Sequence, residues 1–280
     1  MDEIRWYGKV LSPEFKEVQL IILSDLHYGN PYCSAKHFLR TVDFIKNNDH
    51  CYCLLNGDLC EAAIRTSKGE IYKQVGTPDD QKRQVTDWLL PIKDKILGMT
   101  TGNHENRIYD MAGTDISAYI AERLGIPYCP DGFLSKVIYG DYNNHTTGKP
   151  FVSWGYISHG YGGARTKAAK AVKVERMSYW VQADFYAMSH DHVVNIAPDV
   201  CLIPDNRGTP TDNGFLSGRV NAKRKMLVKT NAFIKWGGYA EAGGFPPSDL
   251  SSPVINLLTP YSEQWKMYPE RPRQAVKVAV

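Results

Sequence analysis

The chain lacks any run of about 18 apolar residues, the least that crosses a bilayer as a helix, and it has no internal repeat at a fixed period. It also has little net charge, since 33 Lys and Arg against 30 Asp and Glu leave +3. That balance permits an anionic partner without demanding one. Cysteine is scarce: the six thiols, Cys33, Cys51, Cys53, Cys60, Cys129 and Cys201, are spread over 280 residues. Such sparseness excludes a small disulfide scaffold. The opening residues MDEIRWYGKV are acidic and mixed, unlike the basic-then-apolar pattern of a secretory leader. The expectation is a cytoplasmic chain with reduced thiols and no membrane segment. Hydrophobic residues at 43% and charged residues at 22% exclude wholesale disorder. One domain over residues 1–280 is expected, with the proline-bearing segment from about 243 (Pro246, Pro247, Pro253) wrapping it.

Strand and helix signals alternate. Val18 to Leu23 and Cys51 to Leu55 are short apolar runs of the kind buried on both faces. Between them Ser34 is placed to cap a helix carrying Phe38, Leu39, Val42, Phe44 and Ile45. Val85, Leu89, Ile92 and Ile96 suggest a second helix, kinked at Pro91. A third strand is expected over Ile96 to Thr100, and a helix from about Thr114 to Leu124. Further strands are expected over Phe151 to Ile157, Ala183 to Met188, Val193 to Ile203 and Met226 to Trp236. Pro204 to Gly218, rich in Pro, Gly, Asn and Asp, suggests a long loop. The βαβαβα order favours an α/β fold with a mainly parallel core.

Five of the expected strands end in residues able to bind metal: Asp25 and His27; Asp58; Asn103 and His104; His159; His190 and His192. Ligands gather at the carboxyl ends of strands in such sheets. The D-x-H and H-x-H spacings place both side chains of a pair on one side of a strand end, because the strand period is two. Three oxygen donors (Asp25, Asp58, Asn103) and four imidazoles (His27, His159, His190, His192) suffice for two divalent ions about 3.5–4 Å apart with a bridging carboxylate and an activated water between them. His104 is the candidate proton donor to a leaving oxygen. Cys51 and Cys53 alternate with Leu55 in a buried run and read as small core side chains, since C-x-C without a second pair is a poor zinc signal. His37, His50 and His145 lie outside these motifs and read as ordinary surface or core residues.

Taken in order, Asp25-Leu26-His27, Gly57-Asp58, Gly102-Asn103-His104-Glu105, His159-Gly160 and Ser189-His190-Asp191-His192 resemble the five motifs of the calcineurin-like metallophosphoesterases. The resemblance runs from about Val18 to Val193. Ser189 stands where that family usually has glycine, and Glu105 where aspartate is commoner. The resemblance implies a four-layer αββα sandwich of two mixed β-sheets flanked by helices. It implies one metal site from Asp25, His27, Asp58 and His192 and another from Asp58, Asn103, His159 and His190, bridged by Asp58. It also gives His104 an acid or transition-state role, with Asn103 touching phosphate and Glu105 orienting His104. With no thiolate in the set, manganese is the expected activator in vitro, with iron, zinc, cobalt, nickel and magnesium as alternatives.

The substrate expected is a phosphate ester, and the preferred reading is a phosphodiesterase or nuclease acting on nucleic acid. A phosphomonoesterase acting on nucleotide or phosphoprotein, or a non-catalytic scaffold of the same fold, are the alternatives. The preference rests on a basic segment, Ala164 to Met177. There Ala164, Ala168, Ala171 and Val172 share one helical face, and Arg165, Lys167, Lys170, Lys173 and Arg176 the other. Such a stripe is ordinarily a solvated face; beside a metal site it would form an electropositive rim. Arg219, Lys223, Arg224 and Lys225 would extend it. Arg107 and Arg165, the arginines nearest the motifs in sequence, are the candidate phosphate contacts.

Overall fold

A computed structural model describes all residues except 1–4, 66, 68–70, 142–148, 243, 245, 246, 248 and 265–274, so His145 and Pro246 lie outside the described residues. The five-stranded sheet contains β2 (Glu17–Leu23), β3 (Cys51–Asn56) and β4 (Ile96–Thr100), mutually parallel. It is extended past β2 by antiparallel β10 (Val254–Leu258) and β11 (Ala275–Ala279). The segment after about 243 thus supplies the edge of a sheet. The six-stranded sheet runs β1 (Trp6–Val10), β5 (Phe133–Tyr139), β6 (Phe151–Ser158), β7 (Phe185–Met188), β9 (Leu216–Lys229) and β8 (Asn195–Pro210), also with mixed pairing.

Side-chain alternation on the strands sorts the core into three apolar layers. Leu20, Ile22 and Leu54 from one sheet meet Phe133, Phe185 and Val228 from the other. On the far side of the first sheet, Ile21, Leu23 and Cys53 pack under α1 (Ala35–Asn47), α2 (Pro78–Leu89) and α4 (Ile116–Leu124). On the far side of the second, Tyr186, Met188 and Leu227 pack under α5 (Lys167–Trp180) through Val174 and Met177. The architecture is therefore the four-layer αββα sandwich expected. Cys51 and Cys53 are buried apolar side chains of the first sheet.

The differences from expectation have local causes. Pro91, without an amide proton, does not kink a continuing helix: α2 gives way to a 3-10 turn, Leu90–Lys95, and Ile96 opens β4. Pro204 to Gly218 is not a loop. It forms the far half of the β8–β9 ribbon, closed by a turn in which the Thr211 amide donates to the Phe215 carbonyl. β8 is the sheet's edge, where prolines such as Pro204 and Pro210 interrupt no inner ladder. The strand expected over Met226 to Trp236 ends at Lys229. β1, β5 and α3 (Asn103–Ala112) were not anticipated.

Candidate metal centre

The carboxyl ends of β2, β3, β4, β6 and β7 open on one place, and the seven expected ligands meet there. The two sheets are tied at this end by Asn56, whose side-chain amide donates to the Ser158 carbonyl and whose main-chain carbonyl accepts from His159 Nδ1 at 2.7 Å. Asp25, His27, Asp58, His190 and His192 all lie at positive φ, between 50° and 70°. Left-handed backbone at non-glycine residues is strained. Here it turns successive side chains inward to a common point. Asn103 and His104 enter from the first turn of α3.

Three groups of donor atoms converge: Asp25 with His27 and His192; His27 with Asp58 and His104; Asp58 with His159 and His190, each group within 4.8 Å. Asp58 Oδ2 lies 3.1 Å from His159 Nε2, 3.9 Å from His27 Nε2 and 4.0 Å from His104 Nε2. Asp25 Oδ1 lies 3.1 Å from His192 Nε2. Asn103 Oδ1 sits 3.2 Å from His159 Nε2 and 2.8 Å from His190 Nδ1. His27 Nε2 and His192 Nε2 face each other at 3.1 Å. Two imidazole nitrogens facing each other, beside a buried Asp25 Oδ1 with no hydrogen-bond partner, form the mixed nitrogen-and-oxygen donor set that divalent cations take. The donor set fits such ions.

The imidazoles are oriented from behind. His159 Nδ1 donates to the Asn56 carbonyl, His190 Nε2 to the Gly162 carbonyl at 2.8 Å, and His104 Nδ1 to the Glu61 carbonyl at 2.8 Å. In each case the opposite nitrogen is left facing the cluster. Burial lowers the His159 pKa, but the Asp58 carboxylate outweighs it and raises His159 to about 10. Burial is likewise outweighed at His27, which Glu61 and Asp58 raise to about 9. At Asp25 burial is outweighed by His192, and the carboxyl falls to about 2. His104 goes the other way, since burial prevails over Asp58 and lowers it to about 4. The field of the cluster thus favours positive charge at its centre and a neutral imidazole at its rim.

Other expected residues are placed differently. Glu105 does not orient His104. Its carboxylate accepts from the amides of Asp58 at 3.0 Å and Cys60 at 2.8 Å, fixing the turn that carries Asp58. Burial and the Asp58 charge push Glu105 up to about 7. The residue that sequence reasoning missed is Glu61, which orients His104 through its carbonyl and sets Oε2 3.3 Å from His27 Nδ1. Its signal was only a carboxylate three residues past Asp58. Arg107, one helical turn beyond Asn103, donates to Ser67 at 2.8 Å. Arg165 is exposed before α5, its guanidinium beside Gly244. The buried face of α5 is Lys170, Val174, Met177 and Ser178 rather than the alanine stripe, so Lys170 and Lys173 turn inward to Asp191. Lys223 pairs with Asp184 at 2.9 Å. The continuous basic rim is therefore absent from α5.

No protein-family model and no curated protein sequence matches the chain. Among solved structures, the chain is distantly similar to a conserved uncharacterized protein, a predicted phosphoesterase, from Streptococcus pneumoniae (10% identity over 94% of this chain and 97% of that one, TM-score 0.37). It is similar at the same level to a Pseudomonas putida nuclease (13% identity, 85% and 82% covered, TM-score 0.37). GAP50, the anchor in the inner membrane complex of Plasmodium, gives 12% identity, 87% and 82% covered, and a TM-score of 0.43.

Proposed function

We propose that this chain is a phosphoesterase that works with two divalent cations and prefers phosphodiesters, nucleic acid among them. The observation that carries the reading is the convergence of Asp25, His27, Asp58, Asn103, His159, His190 and His192 at five strand ends, with Asp58 common to two of the three donor groups. Bound divalent cations would supply an activated water and offset the charge of the phosphoryl oxygens. Asp58, His27, His192 and Asp25 would hold one ion, and Asp58, Asn103, His159 and His190 the other.

The protein's own groups supply the rest. His104, anchored through Nδ1, presents Nε2 to the reacting phosphate. Burial holds its pKa down to about 4; an arriving phosphate anion favours the imidazolium, formed by taking a proton from water, and that proton can then pass to the leaving oxygen. Glu61 and Glu105 hold His104 and Asp58 in place. The exposure of Asn103 and the partial exposure of His104, His190 and His192 leave one side of the cluster accessible to a chain. Lys170 and Lys173, which would reinforce binding of a dianionic monoester, are spent on Asp191, and a singly charged diester needs less countercharge.

The test is hydrolysis of a panel after chelation and readdition of Mn²⁺: single- and double-stranded DNA, a bis-aryl phosphodiester, an aryl monoester and a phosphopeptide. Chelated protein is expected to be inactive, Mn²⁺ to restore it, and diesters to turn over faster than monoesters. Turnover in full after chelation would sink the metal assignment. Faster turnover of the monoester or phosphopeptide would sink the diester assignment. DNA binding should weaken linearly with the logarithm of salt concentration, because phosphate contacts release counterions.

A further inference from the structure

Asp191 stands between His190 and His192 in sequence but takes no part in the donor groups. Its side chain is 3% exposed, and three ammonium groups close on the residue. Lys229, at the end of β9 and fully buried, sets Nζ 2.7 Å from Asp191 Oδ2 and donates to the Ser189 carbonyl at 2.7 Å. Lys173 donates to Asp191 Oδ1 at 2.9 Å and to the Tyr161 carbonyl at 2.6 Å. Lys170 donates to the Asp191 main-chain carbonyl at 2.9 Å.

Stability alone does not explain the set. Desolvating buried ions offsets most of their mutual attraction, and apolar side chains of similar volume commonly serve a core as well or better. What the set holds is the strained segment that presents two imidazoles, with His190 at φ 70° and His192 at φ 53°. Ser189, at its start, is pinned from the opposite side, where its hydroxyl meets the Asn56 amide at 2.6 Å and the Thr230 hydroxyl at 2.9 Å. Through Lys173, Asp191 also reaches Tyr161, next to the Gly162 carbonyl that orients His190. One carboxylate thereby ties the segment of His190 and His192 to the segment that follows His159. Released from these contacts, the two left-handed residues would relax toward ordinary backbone and carry both imidazoles off the cluster.

We propose that Lys229, acting through Asp191, is a positioning residue that holds His190 and His192 in their metal-binding geometry. The proposal rests on the reading of the cluster as a metal centre. The experiment is calorimetric titration of Mn²⁺ into the wild-type protein, Lys229→Met, Asp191→Asn and the double variant, with thermal unfolding of each metal-free form alongside. Each single variant is expected to bind Mn²⁺ about 10–100-fold more weakly, the usual cost of losing an outer-shell contact. The double variant should bind no more weakly than the worse single one, as for residues that act through each other. Wild-type protein that takes up no Mn²⁺ would overturn the metal reading itself. Wild-type uptake with unchanged affinity in the variants would overturn only the positioning role, even with a lowered Tm, since a merely structural ion cluster predicts that pattern. Should Lys229→Met not fold, Asp191→Asn, which keeps the side-chain shape, decides alone.

Discussion

Gly102 lies directly against Asp58: a Cβ on Gly102 would stand 2.2 Å from both the amide nitrogen and the Oδ1 of Asp58. The same carboxylate oxygen accepts from the His104 amide at 2.8 Å. The strand ends after β3 and β4 are therefore fitted to each other atom by atom, and the absent side chain at 102 lets the shared carboxylate reach its place.

Gly102→Ala should consequently act on fold and site together. Overpacking against backbone costs about 1–3 kcal/mol, or a fall in Tm of roughly 2–4 °C per kcal/mol in a protein of this size. Mn²⁺ binding should weaken, because Asp58 has to move. Thermal unfolding and metal titration measure the two effects. A variant unchanged in both would show that the two turns separate freely.

Asp58→Asn should weaken both ions at once, because one carboxylate faces His27, His104 and His159. Hydrolysis of an aryl phosphodiester in metal-controlled buffer is expected to fall to near background. Full activity there would contradict the shared role of Asp58.

His104→Gln should separate chemistry from metal binding. Glutamine can still reach toward the Glu61 carbonyl, so Mn²⁺ stoichiometry should persist. The rate should fall by about 10²–10⁴, the usual span for a proton-transferring side chain. The loss should be greatest for esters with poor leaving groups. An equal loss across leaving groups would remove His104 from the proton-transfer step.

The buried thiols predict alkaline sensitivity. Burial pushes Cys33 and Cys51 up to about 12 and raises Cys53 and Cys60 as well. The unfolded chain loses these protons near the ordinary thiol pKa while the folded chain keeps them. Their contribution to stability is thus complete below about pH 8.5 and is lost as pH rises toward the folded values. Denaturant midpoints measured between pH 8 and 10.5 should decline, and less so in a Cys51→Ala/Cys53→Ala variant. Alkylation at pH 8 should leave Cys53 and Cys60 untouched until the protein unfolds.

The outer ribbon should be dispensable for folding. Leu202 is 71% exposed, and Phe215 and Leu216 are each 74% exposed. Ile203 pairs with Asn221, so residues 204–220 can be replaced by Asn-Gly, a two-residue turn suited to a hairpin. Tm and Mn²⁺ affinity should remain near wild type. A collapse of either would show that the ribbon's apolar side chains support the body of the sheet.

Much of this was legible in the sequence, and the reasons are particular. Apolar runs such as Val18 to Leu23 announce strands buried on both faces, and the polar residues that end them had to lie at their carboxyl ends. Asp25, His27, Asp58, His159, His190 and His192 could thus be found by position. What stayed hidden is long-range pairing. Lys229 lies 38 residues beyond Asp191 in the chain, and nothing local marks it as buried. On α5 the alanines resembled an inward face, but long lysine stems can be buried when a carboxylate waits beneath, and the fold puts Asp191 there. Pro204 to Gly218 has loop composition, yet an edge strand tolerates that composition where an inner one would not.

The left-handed backbone of Asp25, His27, Asp58, His190 and His192 bears on how this protein would change if its cluster ceased to matter. Glycine adopts that conformation without a Cβ penalty, so at His27, His190 and His192 the residue best for folding differs from the residue present, while Asp58 and Asp25 also accept from the amides of His104 and His190. A lineage kept only for its shape would drift toward glycine or asparagine at those three histidines and gain stability as it did so. The present side chains sit against that gradient. A stability-only selection on a library of this chain should therefore erase the cluster first and the sandwich last.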